Sequence, residues 1–319
     1  MKTISQLTDY YYKALYPKLE TLEKERKILK SRVNSTFIPI AILILIAFFI
    51  LLKLTDISIF FGLIFLLLLN LTAYGLISQA MSKKYKKNFK TDVVAPLIKH
   101  IDKNLTYKKD EYISKEMFLS SKIGTQKIDS FTGDDLIYGT IMDVKIKCSE
   151  ITVHKRSNGE SDLAEWGLFI CAEFVKHFKA HTIITSNMKK DFGKVGGTLI
   201  NKLNKPEISQ EYKDIKMDSP EFNKNFIVHS TDEIEARYIL SHSLMERIIQ
   251  YNKHMDFPLT ISFIGGNIYL YYSCGPILNP SIQTSLLDFK AAKNYALTIN
   301  FALNIVEILK LNEKLWSKY

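Results

Sequence analysis

Four carboxylates in the C-terminal half of the chain have the side-chain chemistry for cation binding or acid–base catalysis. Paired carboxylates can share a proton or coordinate a cation, provided that the strands carrying them are neighbours in one sheet. Solvated residues of strands and turns are the favoured interpretation, and a binding site that contains Asp134 and Glu150 is the alternative. The four residues are Asp134, Asp135, Glu150 and Glu173.

Two histidines, His177 and His181, are spaced four residues apart. On a helix this spacing would place both imidazoles on one face, as in many zinc sites. The neighbouring Phe174, Val175 and Phe178 are more typical of the end of a strand, and no HExxH sequence accompanies the pair. We therefore interpret both as exposed or packed histidines and as weak metal candidates, and we predict no cofactor.

Glu235 and Arg237 lie in a predicted helix, where residues two apart do not face each other. Arg237 is therefore predicted to bind a carboxylate elsewhere. An internal brace is the favoured role, and a contact to a bound anion is the alternative. With Asp134 and Glu150, these two residues complete the candidate binding site.

Recognised catalytic motifs are missing from the sequence. The glycine-rich run from Gly193 to Thr198 lacks the GxxxxGK[ST] order of a phosphate loop, and no strand leads into it. Kinase, dinucleotide-binding and G-x-S-x-G patterns are missing as well. The three cysteines, Cys148, Cys171 and Cys274, form no CxxC pair, which fits a reducing compartment.

The elements that must position these residues begin with strands. Alternation from Val144 to His154 and apolar or β-branched runs at Trp166–Val175 and Thr182–Thr185 predict an antiparallel meander. Phe226–Val228 predicts a further strand. Glycines between two β-branched and aromatic runs predict a β-hairpin over Leu259–Tyr272.

Helix signals alternate with these strands. Ser219 before Pro220 predicts a helix start, Ser230 with Glu233 predicts a capping box, and another helix is predicted from Ser241. A mobile loop with at most one short helix is predicted for residues 186–216, and a long terminal helix for roughly Thr284–Leu311. The predicted fold of residues 110–319 is thus an α+β cytoplasmic domain of antiparallel sheet with packed helices and a long C-terminal helix.

Two uncharged apolar runs, Phe37–Leu52 and Ile57–Ile77, precede this domain. A hydrocarbon core about 30 Å thick needs roughly twenty such residues in a helix, so the second run is predicted to span a membrane, and the first is too if Val33 to Phe37 extend it. A signal peptide is disfavoured because a polar segment precedes the first run. Only residues 53–56 separate the runs, which predicts a transmembrane helical hairpin over residues 36–78 with both long arms on one side.

Basic residues are concentrated around the hairpin. Residues 1–36 carry eight Lys or Arg against four Asp or Glu, residues 79–109 carry nine against two, and residues 110–319 carry 25 against 26. The positive-inside rule therefore places both arms in the cytoplasm, and the neutral domain argues against nucleic-acid binding. The lysines nearest the second span are interpreted as a topology signal first, with attraction of anionic lipid as the alternative. They are Lys83, Lys84, Lys86, Lys87 and Lys90.

Helical periodicity continues into both arms. An apolar stripe from Leu15 to Val33 predicts an amphipathic helix over residues 1–35, which leads into the first span or packs on the cytoplasmic domain. Residues 79–109 are predicted to form a basic connector helix that Pro96 either starts or kinks. Within the second span, the small or polar residues predicted to mediate helix packing are Asn70, Gly62 and Gly75.

Several stretches of the soluble half match a known family. The most specific is Glu235-Ala236-Arg237-Tyr238 followed by Leu244-Met245-Glu246. Others are Gly133-Asp134-Asp135, Ser219-Pro220-Glu221-Phe222 and Leu309-Lys310-Leu311-Asn312 with Trp316. Over about residues 85–319 the chain resembles the DUF3137 family of bacterial membrane proteins of unknown function. The resemblance implies a bacterial membrane-anchored cytoplasmic domain and no particular activity.

Three hypotheses for the function follow. The favoured one is a non-catalytic module anchored in the bacterial inner membrane, which binds a cytoplasmic partner or ligand or scaffolds an assembly through its N-terminal helix. The expected partners are the lipid bilayer and either another protein or a second copy of the chain, without nucleic acid. The alternatives are an enzyme of unrecognised type, using Asp134, Glu150, His177 and Arg237, and a protein that binds anionic lipid.

Overall fold

A computed structural model describes residues 6, 9–54, 59–123, 128–157, 160–187, 211–253, 257–275, 278–287 and 306. Of these, residues 155–157, 160–165 and 174–176 are described by their backbone alone. The described residues up to Leu97, together with those from Asn279 to Leu287, belong to one compact unit, which we call the helical unit. Residues from Ile98 to Leu278 belong to a second, the sheet unit.

Two long helices make up most of the helical unit. A π-helical turn at Tyr11–Leu15 leads into α1 (Tyr16–Leu54), and α2 spans Ile59–Phe89. Leu15, Leu19, Leu22 and Val33 are all buried, so the predicted apolar stripe is present on a helix. That helix continues into the first apolar run, which is one of the two arrangements predicted from the sequence.

Pro96 lies within the helical path that continues from α2. A second π-helical turn, Lys90–Val94, follows α2 and leads into α3 (Ala95–Ile101). A proline ring crowds the carbonyl four residues before it, which here belongs to Asp92. The π-helical turn, which is wider than an α-helical one, contains Asp92. The helix therefore continues beyond Pro96 and ends at Ile101. The predicted connector helix is shorter than expected, because Leu105 begins a strand.

The sheet unit is built on an antiparallel sheet, which confirms the predicted α+β fold class. The described residues form seven strands in the order β1-β2-β3-β4-β6-β5, with β7 paired to β4. The strands are β1 (Leu105–Lys108), β2 (Ile128–Ile141), β3 (Val144–Ser157), β4 (Glu160–Ser186), β5 (Lys213–Ile215), β6 (Phe226–Ser230) and β7 (Leu259–Ser273).

The predicted β-hairpin at Leu259–Tyr272 is wrong, because β7 is one continuous strand. Both halves of β7 pair with β4: Ile268–Ser273 lies along Gly167–Ala172, and Thr260–Phe263 lies along Thr182–Thr185. Gly265 does adopt a positive φ of 58°, which glycine reaches without steric cost. A single such residue makes an irregularity in the strand, at the shift in register that faces Glu173 and Phe178 of β4.

Four helices accompany the strands in the described part of the sheet unit. They are α4 (Lys115–Ser120), α5 (Pro220–Asn225), α6 (Glu233–Ile239) and α7 (His242–Lys253). The predicted cap at Ser219 is confirmed, since its side chain accepts a hydrogen bond from the Phe222 amide. The predicted capping box at Ser230 is wrong. Asp232 caps α6, because Ser230 is the last residue of β6.

Three further predictions for the C-terminal half of the chain have mixed outcomes. The helix predicted from Ser241 is present as α7, with Leu244, Met245, Ile248 and Ile249 buried. The segment predicted as a loop over residues 186–216 contains β5 at Lys213–Ile215. Most of that segment, including the glycine run at 193–198, lies outside the described residues. So does most of the predicted terminal helix. Of its described residues, 284–287 are not helical and Val306 is helical.

Candidate functional site

Three of the four predicted carboxylates lie together where β2 pairs with β3. Asp134 lies opposite Glu150 in the antiparallel register, and carboxylate oxygens of Asp134, Asp135 and Glu150 lie within 4.8 Å of one another. Successive residues of a regular strand point to opposite faces. Here the register shifts between Asp134 and Ile137, and Asp135 has a φ of 61°. This bulge allows two consecutive carboxylates to meet a third. We call these three residues the carboxylate cluster.

The carboxylate cluster is held from two sides. The Tyr107 hydroxyl of β1 donates a hydrogen bond to Oδ1 of Asp135, and the backbone N–H of Leu278 donates one to Oε1 of Glu150. Asp135 and Glu150 are buried and Asp134 is half-buried. Burial raises the pKa of Tyr107, and the negative charge of Asp135 raises it further, so the hydroxyl keeps its proton and remains a donor.

Chemically, the carboxylate cluster can hold a shared proton or contribute oxygen ligands to a hard cation such as Mg²⁺ or Ca²⁺. Metal ions are usually bound by Asp, Glu, His or Cys side chains. Among the described residues, the carboxylate cluster is the group of at least three such side chains whose ligand atoms lie close enough together to hold a metal ion. The fourth predicted carboxylate, Glu173, lies elsewhere on β4. It is exposed and forms an ion pair with Lys145 at 3.4 Å.

Removal of the Tyr107 hydroxyl should measure how strongly β1 supports the carboxylate cluster. We expect Tyr107→Phe to lower the free energy of unfolding by about 2 kcal/mol, because a buried hydrogen bond to a charged acceptor is lost. Denaturation of the full chain in detergent, followed by tryptophan fluorescence, would measure the change. Tyr138→Phe on β2 is the matched control. Equal effects of the two substitutions would contradict a specific role for the Tyr107–Asp135 bond.

The two predicted histidines lie on β4 and have different surroundings. His177 is exposed, whereas His181 is buried. The Nδ1 atom of His181 is hydrogen-bonded to the Tyr212 hydroxyl, and Nε2 is hydrogen-bonded to Oγ of Ser262 at 2.8 Å. Both ring nitrogens are therefore already engaged within the protein. This arrangement is that of a packed histidine, and the described residues near it form no metal-ligand group.

The direction of each hydrogen bond around His181 fixes its tautomer. Ser262 donates its proton to the carbonyl of Ser121 at 2.6 Å, so Nε2 of His181 is the donor to Ser262. Nδ1 then accepts from Tyr212. Burial lowers the pKa of His181 to about 4, helped by the nearby positive charge of Lys122, so the ring is neutral at pH 7. Ser262 is fully buried, and this pair is consequently a brace between elements rather than an activated nucleophile.

Glu235 and Arg237 also make contacts within the sheet unit. The Glu235 carboxylate accepts hydrogen bonds from the backbone amides of Lys179 and Ala180 on β4. The Arg237 guanidinium binds Glu233 at 2.9 Å and Asp218 at 3.1 Å, and it donates a further bond to the carbonyl of Lys216. These contacts are those of braces, and the two side chains do not join the carboxylate cluster, whose members are Asp134, Asp135 and Glu150.

One buried charged pair was not predicted from the sequence. In the helical unit, Arg26 of α1 forms two hydrogen bonds to Glu23, at 2.7 and 2.8 Å, and donates a third to the carbonyl of Ile282 at 2.7 Å. Glu23 also accepts from the backbone amide of Leu286. The sequence does contain a signal: Glu23 and Arg26 occupy the same helical face as Leu19 and Leu22, so charges interrupt an apolar stripe.

The two apolar runs lie in helices long and apolar enough to cross a membrane. Only 6% of the most apolar window of each helical stretch is buried within the protein itself. A Cβ atom added to Gly62 would lie 2.8 Å from Cε2 of Phe48, so α1 and α2 approach closely there. Gly75 has open space around it, and Asn70 bonds to the carbonyl of Leu66 in its own helix. Of the three predicted packing residues, Gly62 is thus the one at a close contact.

The five lysines after the second apolar run are not equivalent. Lys83, Lys84 and Lys87 are exposed and Lys86 is half-buried. Lys90, in the π-helical turn before Pro96, is buried. The exposed ammonium groups are available to solvent or to lipid headgroups, whereas Lys90 contributes to the packing of the helical unit.

Comparison with known proteins gives a family match for part of the chain. Residues 166–311 match the family model described as "Protein of unknown function (DUF3137)". The family resemblance predicted from the sequence is confirmed for this segment, which contains Glu235 and Arg237. The carboxylate cluster lies before it, so a resemblance over residues 85–165 stays a prediction.

Other comparisons add little to the family match. The chain is similar to one solved structure, titled "crystal structure of the mycobacterial trehalose monomycolate transport factor A, TtfA", with 11% sequence identity and a TM-score of 0.34. The similarity covers 66% of this chain and 94% of that one. A comparison with curated proteins gave no match.

Proposed function

We propose that this protein is a binding module of the bacterial cytoplasmic membrane, anchored by the α1–α2 helix pair and carrying the sheet unit on the cytoplasmic side. The single observation that carries the proposal is the exposure of the two apolar windows, of which 6% is buried in each case. The core helix of a soluble protein would be mostly covered by its own chain. A cleaved signal sequence would account for one apolar helix near the N-terminus and leave the second unexplained.

Lipid is the solvent that suits these surfaces. Large apolar side chains along both helices are at least two-fifths exposed, and monomeric soluble proteins rarely expose contiguous apolar surface of that extent. They include Ile38, Ile42, Leu43, Ile46, Phe49 and Ile50 on α1, and Phe60, Phe61, Leu63, Phe65, Leu67 and Leu71 on α2. Both segments are helical, so apart from Pro39 in α1, which has no N–H to donate, their backbone groups bond within the helix as a hydrocarbon environment requires.

The orientation of the anchor is supported by the charge distribution. Basic residues outnumber acidic ones by eight to four before the first span and by nine to two over residues 79–109. The short connection between the spans has one of each, Lys53 and Asp56. The positive-inside rule then assigns both arms, and with them the sheet unit, to the cytoplasm.

Cysteine labelling in intact cells would test the anchor and its orientation. The three native cysteines are buried, so their background reaction with an impermeant maleimide should be low. We expect Lys53→Cys to react in intact cells, and Lys24→Cys and Lys213→Cys to react only after permeabilisation. Reaction of Lys213→Cys in intact cells would contradict the cytoplasmic assignment, and recovery of the chain in the soluble fraction would contradict the anchor.

Two features of the sheet unit support a binding role. It contains the carboxylate cluster, and its sequence shows no recognised catalytic motif. The side chains of His181, Glu235 and Arg237 form hydrogen bonds within the sheet unit. A thermal-shift screen of the full chain in nanodiscs, against divalent cations, nucleotides and metabolites, would test the binding role. A ligand at about 100 times its dissociation constant stabilises by roughly 2.7 kcal/mol. A shift caused by a cation and abolished by Asp134→Asn would locate the ligand at the carboxylate cluster. No shift across the panel would favour a protein partner.

A further inference from the structure

Six exposed basic side chains surround the membrane-proximal parts of α1 and α2. They are Lys24, Lys27 and Arg32 on α1, and Lys83, Lys84 and Lys87 on α2, and we call them the basic collar. Within the described part of the chain, none of the six forms an ion pair with a carboxylate. The buried Arg26, in contrast, is neutralised by Glu23 at 2.7 Å. Among the described residues, the basic collar therefore carries positive charge that is not paired with a carboxylate.

Both helices bring this charge to the same level. α1 and α2 pack in opposite directions, since Gly62 approaches Phe48 and Tyr74 contacts Phe37. On α2, Lys83 and Lys87 follow the end of the apolar run by six and ten residues, which is about 9 to 15 Å at the rise of a helix. On α1, Arg32, Lys27 and Lys24 precede the other run by five, ten and thirteen residues, or about 7 to 20 Å.

This level corresponds to the polar surface of a bilayer. The headgroup layer extends roughly 5 to 8 Å beyond the hydrocarbon on each side, and the screening length at physiological salt is about 8 Å. Long basic side chains also reach toward the interface along their own methylene stems. The basic collar consequently lies within reach of lipid phosphates. The sheet unit and its flanks do not share this bias, because residues 110–319 hold 25 basic and 26 acidic residues.

We propose that the basic collar binds the headgroups of anionic phospholipids, so that these lipids are enriched around the membrane-proximal end of the helix pair. The inference rests on the proposed membrane anchor and deepens it. The occupant is a lipid of the same membrane because the collar is continuous with the lipid-facing surface of both helices. Its positive charge complements phosphate, and the exposed lysines provide charge and hydrogen-bond donors.

Lipid selectivity can be measured with the full chain reconstituted in phosphatidylcholine bilayers that contain trace spin-labelled lipid. The fraction of motionally restricted label is compared for phosphatidylglycerol and phosphatidylcholine. We expect the wild-type protein to prefer phosphatidylglycerol, and Lys83→Gln/Lys84→Gln/Lys87→Gln to reduce that preference at least about threefold. Raising the salt concentration should reduce the wild-type preference in the same direction.

Two further variants make the result specific. Lys24→Gln/Lys27→Gln/Arg32→Gln removes the α1 half of the collar and should also reduce the preference. Lys147→Gln/Lys213→Gln/Lys224→Gln changes the net charge equally at exposed positions of the sheet unit and should leave the preference unchanged. An equal loss with this control would overturn the proposal. So would complete competition by millimolar inorganic phosphate at constant ionic strength, since the site would then take free phosphate.

The outcomes also separate this inference from the proposed function. Restricted phosphatidylcholine with no preference for phosphatidylglycerol would overturn the basic collar as a lipid site while leaving the anchor intact. An absence of restricted label for both lipids would mean that the helices do not enter the bilayer, and both proposals would fail.

Discussion

Replacement of Arg26 with methionine is expected to destabilise the helical unit by about 3–5 kcal/mol, because it leaves the Glu23 carboxylate buried without its countercharge. Glu23 is 4% exposed and Arg26 is 7% exposed, so water cannot take the place of the missing guanidinium. Methionine preserves much of the volume of the arginine stem. The loss should therefore be electrostatic rather than a loss of packing.

Hydrogen exchange of the full chain in detergent would detect the change where the pair acts. The Leu286 amide donates to Glu23 at 3.0 Å, and the Ile282 carbonyl accepts from Arg26 at 2.7 Å. Amides of residues 279–287 should lose protection by about two to four orders of magnitude if opening of this segment becomes easier by about 3–5 kcal/mol. Amides of α7 in the sheet unit serve as the internal reference and should change little.

A double variant separates the charge from the packing. Glu23→Met/Arg26→Met removes both charges, and replacement of a buried ion pair by apolar residues is often neutral. We expect the double variant to recover most of the stability lost with Arg26→Met. The part that is not recovered comes from the Leu286 amide and the Ile282 carbonyl, which lose these side-chain partners. A double variant as unstable as the single one would show that hydrogen bonds to the 279–287 backbone, rather than the buried charge, dominate.

Acid should weaken the same contact in a defined range. The hydrogen bond from Arg26, with further help from the Leu286 amide and the charge of Arg26, lowers the pKa of Glu23 to about 2. Since the folded-state pKa lies below that of the unfolded chain, the contribution of Glu23 is complete above about pH 4.5. It decreases as the pH falls toward 2, by about 3 kcal/mol in total. Glu23→Gln should lack this dependence.

The sequence predicted local structure better than pairing. The alternation from Val144 onward predicted β3, and Ser219 with Pro220 predicted the start of α5, because both signals depend on neighbouring residues. The glycines at 265 and 266 equally suggested a turn. Whether a glycine irregularity reverses the chain depends on the partner strand, and β4 is long enough to pair with β7 on both sides of it. That length is not visible in any local pattern.

The same distinction applies to the candidate site. The carboxylate types were evident in the sequence, but their meeting depends on the β2–β3 register and on the bulge after Asp134. Glu173 has the same chemistry, yet its place on β4 puts it beside Lys145. Glu23 and Arg26 were missed because a short-range charged pair is usually solvated. Their burial depends on residues 282 and 286, more than 250 positions further along the chain.

Acidification from pH 6.5 to 4 is expected to destabilise the sheet unit by up to about 3 kcal/mol through His181 alone. Burial, with the added effect of Lys122, lowers the pKa of His181 to about 4. The unfolded chain takes up the proton near pH 6.5, whereas the folded chain resists it. The stabilisation is therefore complete above pH 6.5 and is lost as the pH falls through the folded-state value.

The hydrogen-bond network explains why this histidine must remain neutral. Its ring connects β4 to Tyr212 before β5, to Ser262 of β7 and, through Ser262, to Ser121 at the end of α4. Protonation would convert Nδ1 from an acceptor into a donor and would place a charge in a site that offers no carboxylate bond to it among the described residues. Connections among four segments would weaken together.

Denaturation of the full chain in detergent between pH 7.5 and 4.5, compared with His181→Gln, would measure this contribution. Glutamine keeps a donor and an acceptor but does not titrate, so the variant should lose stability at pH 7.5 and show a flatter pH dependence below 6.5. His177→Gln is the matched control, four residues away on the same strand and exposed, and it should retain the wild-type dependence. If His181→Gln followed the wild-type curve, other groups would be responsible for the acid sensitivity. If the pH dependence of stability becomes flatter for His181→Gln but not for His177→Gln, the buried imidazole of His181 is the group that couples β4, β7 and the segment before β5.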